Sequence, residues 1–160
     1  MDKMKTSYKI PFVMKHLSLL VGVLFFPCSG HRIERSSWDD EIAMIAQKYA
    51  DACKGLVHDG GRQRSIPGRF SVGQNLASAS YDLDWAGVIK LWYDEVKDFT
   101  LGGNNDLMKV GHYTQVVWAT SIKIGCGFAV CGSTRSYVCN YGPGSVTSTQ
   151  TYKFRRYLCP

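Results

Sequence analysis

Six cysteines in a chain of 160 residues are the feature that most limits how this sequence can fold. They are Cys28, Cys53, Cys126, Cys131, Cys139 and Cys159. No two of them have the Cys-x-x-Cys spacing of a sulfur-based zinc site, so disulfide bonds are expected if the chain reaches an oxidising compartment. Six cysteines allow fifteen pairings, and spacing alone does not choose among them.

The N-terminal segment has the pattern of a secretory signal. A basic flank precedes an apolar run from Leu17 to Phe26, and small residues follow it at Pro27–Gly30. The run is too short to cross a bilayer, which takes ~20 apolar residues. We predict that residues 1–30 are a signal peptide, with Met14 as an alternative start that gives a more compact signal. The protein is then secreted and extracellular, without a transmembrane anchor.

Charge and composition exclude one class of partner. Apolar residues make up 45% of the chain and charged residues 20%, as in ordinary globular proteins, and the length predicts one domain after the signal, at 31–160. Half of the net charge of +6 lies within residues 1–30, and no basic stripe interleaved with aromatic residues follows. No nucleic-acid partner is expected.

The first predicted helix begins with a serine N-cap at Ser36-Ser37, has acids in its first turn and ends by Gly55. Its apolar stripe at helical spacing consists of Ile42, Ile45, Ala46, Tyr49 and Cys53. The position of Cys53 on this stripe predicts a buried half-cystine rather than a reactive thiol.

The second predicted helix is capped by Asp82 or Asp84 and runs to Phe99. Its apolar face consists of Trp85, Val88, Trp92, Val96 and Phe99. Glu95 lies on the same face, where a carboxylate is costly unless it is paired, protonated or bound to a metal. A salt bridge at the edge of the stripe explains Glu95 as well as a functional role does.

The segment GHYTQVVWAT, Gly111 to Thr120, alternates between two sets of side chains and is rich in β-branched and aromatic residues. This pattern predicts the central strand of a sheet, with His112 at its mouth facing a cleft. Most histidines do no chemistry, so His112 gains significance only from residues that converge on it.

A β-hairpin is predicted next. Residues Ile122–Cys131 and Ser136–Tyr141 alternate on either side of a Gly132-Ser133-Thr134 turn. Cys126 and Cys139 fall near opposite positions of the hairpin, close enough for a disulfide. Helices followed by an antiparallel meander define an α+β layered domain.

Two further polar positions lie between the predicted helices. His58 follows the first helix, where a surface histidine in a turn is the simpler interpretation. Gln74-Asn75 places two amides together in the short segment Ser71–Ala77, where they suit hydrogen bonding in a cleft or in an ordinary turn.

Several motifs resemble the superfamily of cysteine-rich secretory proteins, antigen 5 and pathogenesis-related protein 1, the CAP superfamily. GHYTQVVW resembles its first signature and YVCNYGPGSV its second, and the resemblance covers Trp38 to about Tyr152. VGQNLA, the segment Trp92–Glu95, and Cys53 followed by His58-Asp59 also match. GQN and the EVKDF turn are most similar to the arthropod antigen 5 branch of venom and salivary allergens.

The resemblance implies an α-β-α sandwich with a central antiparallel sheet and a cleft. It places a cleft tetrad at His58, Gln74, Glu95 and His112, where Gln74 replaces an acid of the family pattern. It also implies disulfides Cys53–Cys131 and Cys126–Cys139, and it assigns no partner to Cys159. Two imidazoles and one carboxylate at His58, His112 and Glu95 would suit Zn²⁺ with a water, and the amide of Gln74 would weaken that binding.

One departure from the family pattern concerns the N-terminus. Family members carry a further helix with a His-Asn-x-x-Arg start before the residue equivalent to Trp38, whereas only His31–Ser37 separate Trp38 from the predicted signal. We therefore expect a domain at 31–160 that is N-terminally truncated and lacks its first helix. Apolar surface left uncovered would lower its stability.

The sequence and the resemblance leave three possible functions. The resemblance implies a non-enzymatic extracellular protein, like a venom or salivary allergen, that binds a sterol, fatty acid or eicosanoid, or a host protein. The alternative is a zinc-dependent hydrolase in which His58 and His112 hold Zn²⁺ and Glu95 is the general base, but no HExxH or GxSxG motif supports it. A channel-blocking toxin would need a further cysteine-rich domain. We predict the binding protein.

Overall fold

The computed structural model describes residues 36–118 and 120–144, which form a four-stranded sheet with helices on both faces, the expected α-β-α sandwich. The elements are β1 (Ser37–Trp38), α1 (Asp40–Asp51), α2 (Gly61–Arg64), β2 (Gly73–Ala79), α3 (Trp85–Tyr93), a 3₁₀ helix (Asp94–Asp98), α4 (Leu107–Val116), β3 (Lys123–Cys131) and β4 (Thr134–Gly142). Within these residues no helix is both long and apolar enough to cross a bilayer. The predictions of a signal peptide, of an absent first helix, and for Cys28 and Cys159 concern residues outside this range.

The sheet has the strand order β1-β3-β4-β2, and the predicted hairpin forms its centre. β3 and β4 pair antiparallel with Cys126 directly opposite Cys139, and these two residues form a disulfide. β2 pairs antiparallel with β4, whereas the two-residue β1 is parallel to β3. A second disulfide joins Cys53 to Cys131. These are the two pairs that the family resemblance implies.

Helix α1 covers one face of the sheet. Its buried residues recur at helical spacing and are Ile42, Ala43, Ala46, Tyr49 and Ala50. The helix approaches β3 so closely that a Cβ atom at Gly125 or Gly127 would collide with the α1 backbone. Glycine at these alternate positions of β3 therefore lets the first layer pack directly on the sheet.

Two details of α1 correct the sequence prediction. The N-cap is Asp39, whose carboxylate accepts a hydrogen bond from the backbone N–H of Ile42 at 3.1 Å; Ser37 belongs to β1 instead of capping the helix. Cys53 lies beyond the end of the helix in an exposed position, not on the buried stripe. The apolar spacing in the sequence extends to Cys53, but the helix ends at Asp51. The disulfide to Cys131 holds Cys53 at the surface.

Helix α3 lies on the opposite face. Asp84, one of the two predicted caps, accepts a hydrogen bond from the backbone N–H of Gly87 at 2.7 Å. Val88 and Trp92 pack with Tyr137 and the disulfide-bonded Cys139. The predicted continuous helix to Phe99 is wrong in part, because the α-helix ends at Tyr93 and continues as the 3₁₀ helix.

The predicted central strand at GHYTQVVWAT is a helix. α4 begins after Asp106, whose carboxylate caps it by accepting from the backbone N–H of Met108 at 3.0 Å. Val110 and Thr114, four residues apart, are buried on one side of α4. The alternating pattern is an accident of composition that tertiary packing overrides. His112 therefore lies in the middle of a helix, not at the mouth of a strand.

Candidate functional site

Glu95 and His112 form the first half of the site. Glu95 Oε1 lies 2.6 Å from His112 Nδ1, and Glu95 Oε2 accepts a hydrogen bond from the backbone N–H of Tyr113 at 2.9 Å. The 3₁₀ helix supplies the carboxylate and α4 supplies the imidazole. This pairing explains why a carboxylate is tolerated on the apolar side of the second predicted helix, because a buried carboxylate needs a partner.

Two further contacts hold His112. Its ring stacks on the ring of the buried Trp92 with centroids 6.2 Å apart and planes inclined by 21°. Its backbone carbonyl accepts a hydrogen bond from Asn75 Nδ2 at 3.1 Å, and the same nitrogen lies 3.4 Å from the hydroxyl of Tyr141. Burial raises the pKa of Tyr141 far above its usual range, so its hydroxyl stays neutral. The imidazole is therefore fixed by a ring, a carboxylate and a strand.

His58 and Gln74 form the second half. His58 Nδ1 lies 2.9 Å from Gln74 Oε1, so the ring donates to the amide oxygen. Gln74 is 8% exposed, and its Nε2 has no hydrogen-bond partner among the described residues. Asn140, opposite Gln74 on β4, is fully buried, and within the same part of the chain neither its Nδ2 nor its Oδ1 has a partner.

The four tetrad residues thus come together as two pairs, and β2 connects them. The consecutive residues Gln74 and Asn75 contact the two histidines, the first through the ring of His58 and the second through the backbone of His112. In 36–118 and 120–144, no three His, Cys, Asp or Glu side chains form a group placed to hold a metal ion.

The donor atoms fit a zinc ion only in part. Each histidine has its Nδ1 directed at a side-chain oxygen, which leaves Nε2 as the nitrogen able to coordinate a metal. Glu95, predicted as a third ligand, uses one oxygen to orient His112 and the other to bind the α4 backbone.

An aromatic cluster beside Glu95 was not predicted from the sequence. The ring of Tyr113 packs against Tyr93 and Phe99, with centroid distances of 5.7 Å and 5.2 Å. All three residues are partly exposed. Burial and, to a smaller degree, the neighbouring Tyr93 raise the pKa of Tyr113. The sequence did contain an indication of this cluster, because each tyrosine directly follows a residue of the site. Tyr93 follows Trp92, and Tyr113 follows His112.

Comparison with known families agrees with this fold. The profile of the cysteine-rich secretory protein family, CAP, matches residues 29–141. This match covers more than half of the chain, so the protein belongs to the CAP family.

Individual relatives place it near the venom allergens. The chain is 44% identical over 126 residues to venom allergen 5.02 of Vespa crabro, which covers 72% of this chain and 60% of that protein. It is 47% identical over 122 residues to a CRISP/Allergen/PR-1 protein of Trittame loki, covering 67% of this chain and 30% of that one. The chain spans between 30% and 61% of the length of the curated relatives that it matches.

Solved structures show the same fold. Venom allergen-like protein 4 of Schistosoma mansoni superposes with a TM-score of 0.61 at 30% identity, over 78% of this chain and 77% of that one. NaASP2, whose structure was determined with Zn²⁺, gives a TM-score of 0.58 at 27% identity, over 82% of this chain and 77% of that one.

Proposed function

We propose that this chain is a secreted, non-enzymatic binding protein of the venom-allergen type that takes a small amphipathic lipid, a sterol, fatty acid or eicosanoid. The observation that carries the proposal is that both carboxylate oxygens of Glu95 are hydrogen-bonded to α4. Both of its oxygens hold α4, one through the imidazole of His112 and one through the Tyr113 backbone. The carboxylate orients a recognition surface instead of standing ready to accept a proton from water.

The chemistry of that surface suits a ligand with an apolar body and one polar group. Tyr93, Phe99 and Tyr113 offer partly exposed ring surface next to Glu95. The ring of His112, whose side chain is 39% exposed, offers a nitrogen that accepts a hydrogen bond from a hydroxyl when the ring is neutral and donates one to a carboxylate when the ring is protonated. Sites of this kind combine mostly apolar walls with a few fixed polar groups.

Lipid binding is tested on disulfide-bonded protein by displacement of a fluorescent fatty acid with each lipid class in turn. We expect saturable binding in the micromolar range for one class. Tyr113→Ala should weaken it about tenfold, equivalent to about 1.4 kcal/mol, because one wall of the surface is lost. Tyr81→Ala is the matched control, since Tyr81 is an exposed tyrosine in the loop before α3. A flat titration for all three classes would reject the lipid and favour a host protein as the partner.

Secretion belongs to the same proposal. The names of several relatives place them in venoms, and residues 1–30 have the pattern of a signal peptide. Expression of the full chain in insect cells should deliver protein to the medium with an N-terminus near His31. Retention of Cys28 in the secreted protein would contradict the proposed cleavage.

Zinc is a second candidate ligand, favoured by the orientation of the two imidazoles. In both histidines a side-chain oxygen faces Nδ1, and this arrangement is common for zinc-binding histidines because it directs Nε2 towards the metal. When bound, Zn²⁺ would supply a positive charge that attracts an anionic group of a ligand. Calorimetric titration with Zn²⁺ should show binding that His58→Ala and His112→Ala each abolish.

The hydrolase alternative has no specific support. It requires Glu95 to act as general base, and a base must have an oxygen within reach of the water that it activates. Both oxygens of Glu95 are already hydrogen-bonded to α4.

A further inference from the structure

We propose that Arg64 is the positioning residue for the His58–Gln74 half of the site, because it ties the loop after α1 to the residues that lead into β2. It is the last residue of the one-turn helix α2 and lies between the two residues of the pair in the chain.

The guanidinium group of Arg64 makes three contacts, all of them to neighbours of the pair. Its Nη1 contacts the carboxylate of Asp59 and donates to the backbone carbonyl of Asp59 at 2.7 Å. Its Nε donates to the backbone carbonyl of Val72 at 2.9 Å. Asp59 follows His58 directly, and Val72 lies two residues before Gln74. One side chain therefore fixes the backbone next to both members of the pair.

This clamp is sheltered from water. The side chain of Arg64 is 16% exposed and that of Asp59 is 5% exposed. A charge pair in such a place is screened little by solvent, and loss of one member leaves the other buried and uncompensated. We therefore expect the loop from His58 to Arg64 to rearrange when the arginine is changed.

Lysine cannot replace this arginine in its geometric role. The planar guanidinium presents several N–H groups in fixed directions, so it reaches the Asp59 carboxylate and the Val72 carbonyl at once. A lysine ammonium keeps the charge but concentrates it at one point. Arg64→Lys therefore separates the positioning role from the charge.

The other half of the site provides an internal reference. His112 is held by Glu95, Asn75 and Trp92. None of these three is a residue that Arg64 contacts in the interactions described above. A change that affects the loop alone should alter His58 and leave His112 as it was.

The test compares the ring signals of the two histidines by NMR in the ligand-free protein, at a pH where both rings are neutral. Arg64→Lys should shift and broaden the His58 signals and leave those of His112 unchanged. Arg62→Lys, the exposed arginine two residues earlier in α2, is the control and should change neither. The result does not depend on lipid or zinc binding, because no ligand is present.

Unchanged His58 signals in folded Arg64→Lys protein would overturn the proposal, as would equal changes at His58 and His112, which would show general loosening. If Arg64→Lys fails to fold, Asp59→Asn replaces it, since it keeps the size of the side chain and removes only the charge. In that variant the His58 signals must still shift alone, and unchanged signals overturn the proposal.

Discussion

Glu95 holds His112 with an Oε1-to-Nδ1 distance of 2.6 Å, and its other oxygen binds the next backbone N–H of α4 at 2.9 Å. One carboxylate therefore links the 3₁₀ helix to α4 and sets the direction of the imidazole. Since the carboxylate only accepts, the neutral imidazole of His112 carries its proton on Nδ1, and Nε2 then keeps its lone pair.

The first prediction follows from this proton assignment. Glu95→Gln should fold with a modest loss of stability, because the amide oxygen can accept from the Tyr113 N–H while the amide nitrogen donates to Nδ1. His112 then moves its proton to Nε2 and loses its free lone pair, which nitrogen-15 shifts of the ring report directly. Zinc titration should show weaker binding in the same variant.

Two variants complete this experiment. Glu95→Ala removes the hydrogen bonds from the carboxylate to the His112 ring and to the Tyr113 N–H, and it should lower the free energy of unfolding by about 1–3 kcal/mol. Asp98→Asn, at an exposed acid of the same 3₁₀ helix, should change neither the proton position nor the stability. A His112 ring in Glu95→Gln that keeps its proton on Nδ1 would contradict the assignment.

The sequence predicted the elements whose signals are local. The β3–β4 hairpin combines alternation with a turn at Gly132, and both signals act within a few residues. The Asp84 cap is local in the same way. The strand prediction for GHYTQVVWAT was wrong because its side chains alternate by chance. The N-cap at Asp106 and the burial of Val110 and Thr114 on one side stabilise a helix.

The site was predicted less completely, for a physical reason. The family resemblance indicated His58, Gln74, Glu95 and His112, but no spacing in the chain shows that they contact each other as two pairs. The placement of Asn140 beside Gln74 depends on the register between β4 and β2. The Arg64 clamp depends on the path of a loop. The Asn140 placement and the Arg64 contacts both depend on how distant parts of the chain are arranged in the fold, and no local sequence pattern reports that arrangement.

A second prediction concerns the amide at Gln74. Gln74→Glu places a carboxylate against Nδ1 of His58, so both imidazoles would then be oriented by an acid, as the family pattern has it. An added negative charge and a stronger hydrogen bond to a coordinating histidine favour a bound cation. We expect zinc binding at least about tenfold tighter, measured by calorimetry. Equal affinities would show that His58 is not a zinc ligand.

A third prediction concerns pH. The hydrogen bond from Arg69, which lies 2.5 Å from Asp39, holds the pKa of the Asp39 carboxyl below its usual range. A carboxylate with a lowered pKa in the folded state stabilises the fold above its unfolded pKa of about 3.9, and the effect disappears as the pH falls through the lower folded value. The Asp39 carboxylate should therefore stabilise the fold at neutral pH, and this stabilisation should disappear in acid.

Urea unfolding of Asp39→Asn across this range tests the sign. The variant should be less stable than the wild type at pH 7, and the difference should shrink steadily below about pH 4 as the wild-type carboxylate takes up its proton. Asp40→Asn, at the next acid of the first turn, is the control. A difference that grew in acid would mean that folding raises the pKa of this carboxyl, which would contradict the prediction.

The last prediction uses two buried asparagines that differ in their partners. Asn75, 1% exposed, donates to the carbonyl of His112, whereas Asn140, 0% exposed, has no partner for either side-chain atom among residues 36–118 and 120–144. A buried polar group without a hydrogen bond costs about 1–3 kcal/mol, and a bonded one stabilises the fold by about 1 kcal/mol. The same substitution should therefore act in opposite directions at the two positions.

Asn140→Val should raise the free energy of unfolding by about 1 kcal/mol, because an apolar β-branched side chain suits a strand and removes two unsatisfied atoms. Asn75→Val should lower it by about 1–2 kcal/mol, because the strand loses its bond to α4. Urea denaturation of both variants against the wild type measures the two signs. A loss of stability in both would contradict this prediction and would show that the Asn140 amide is hydrogen-bonded in the folded protein.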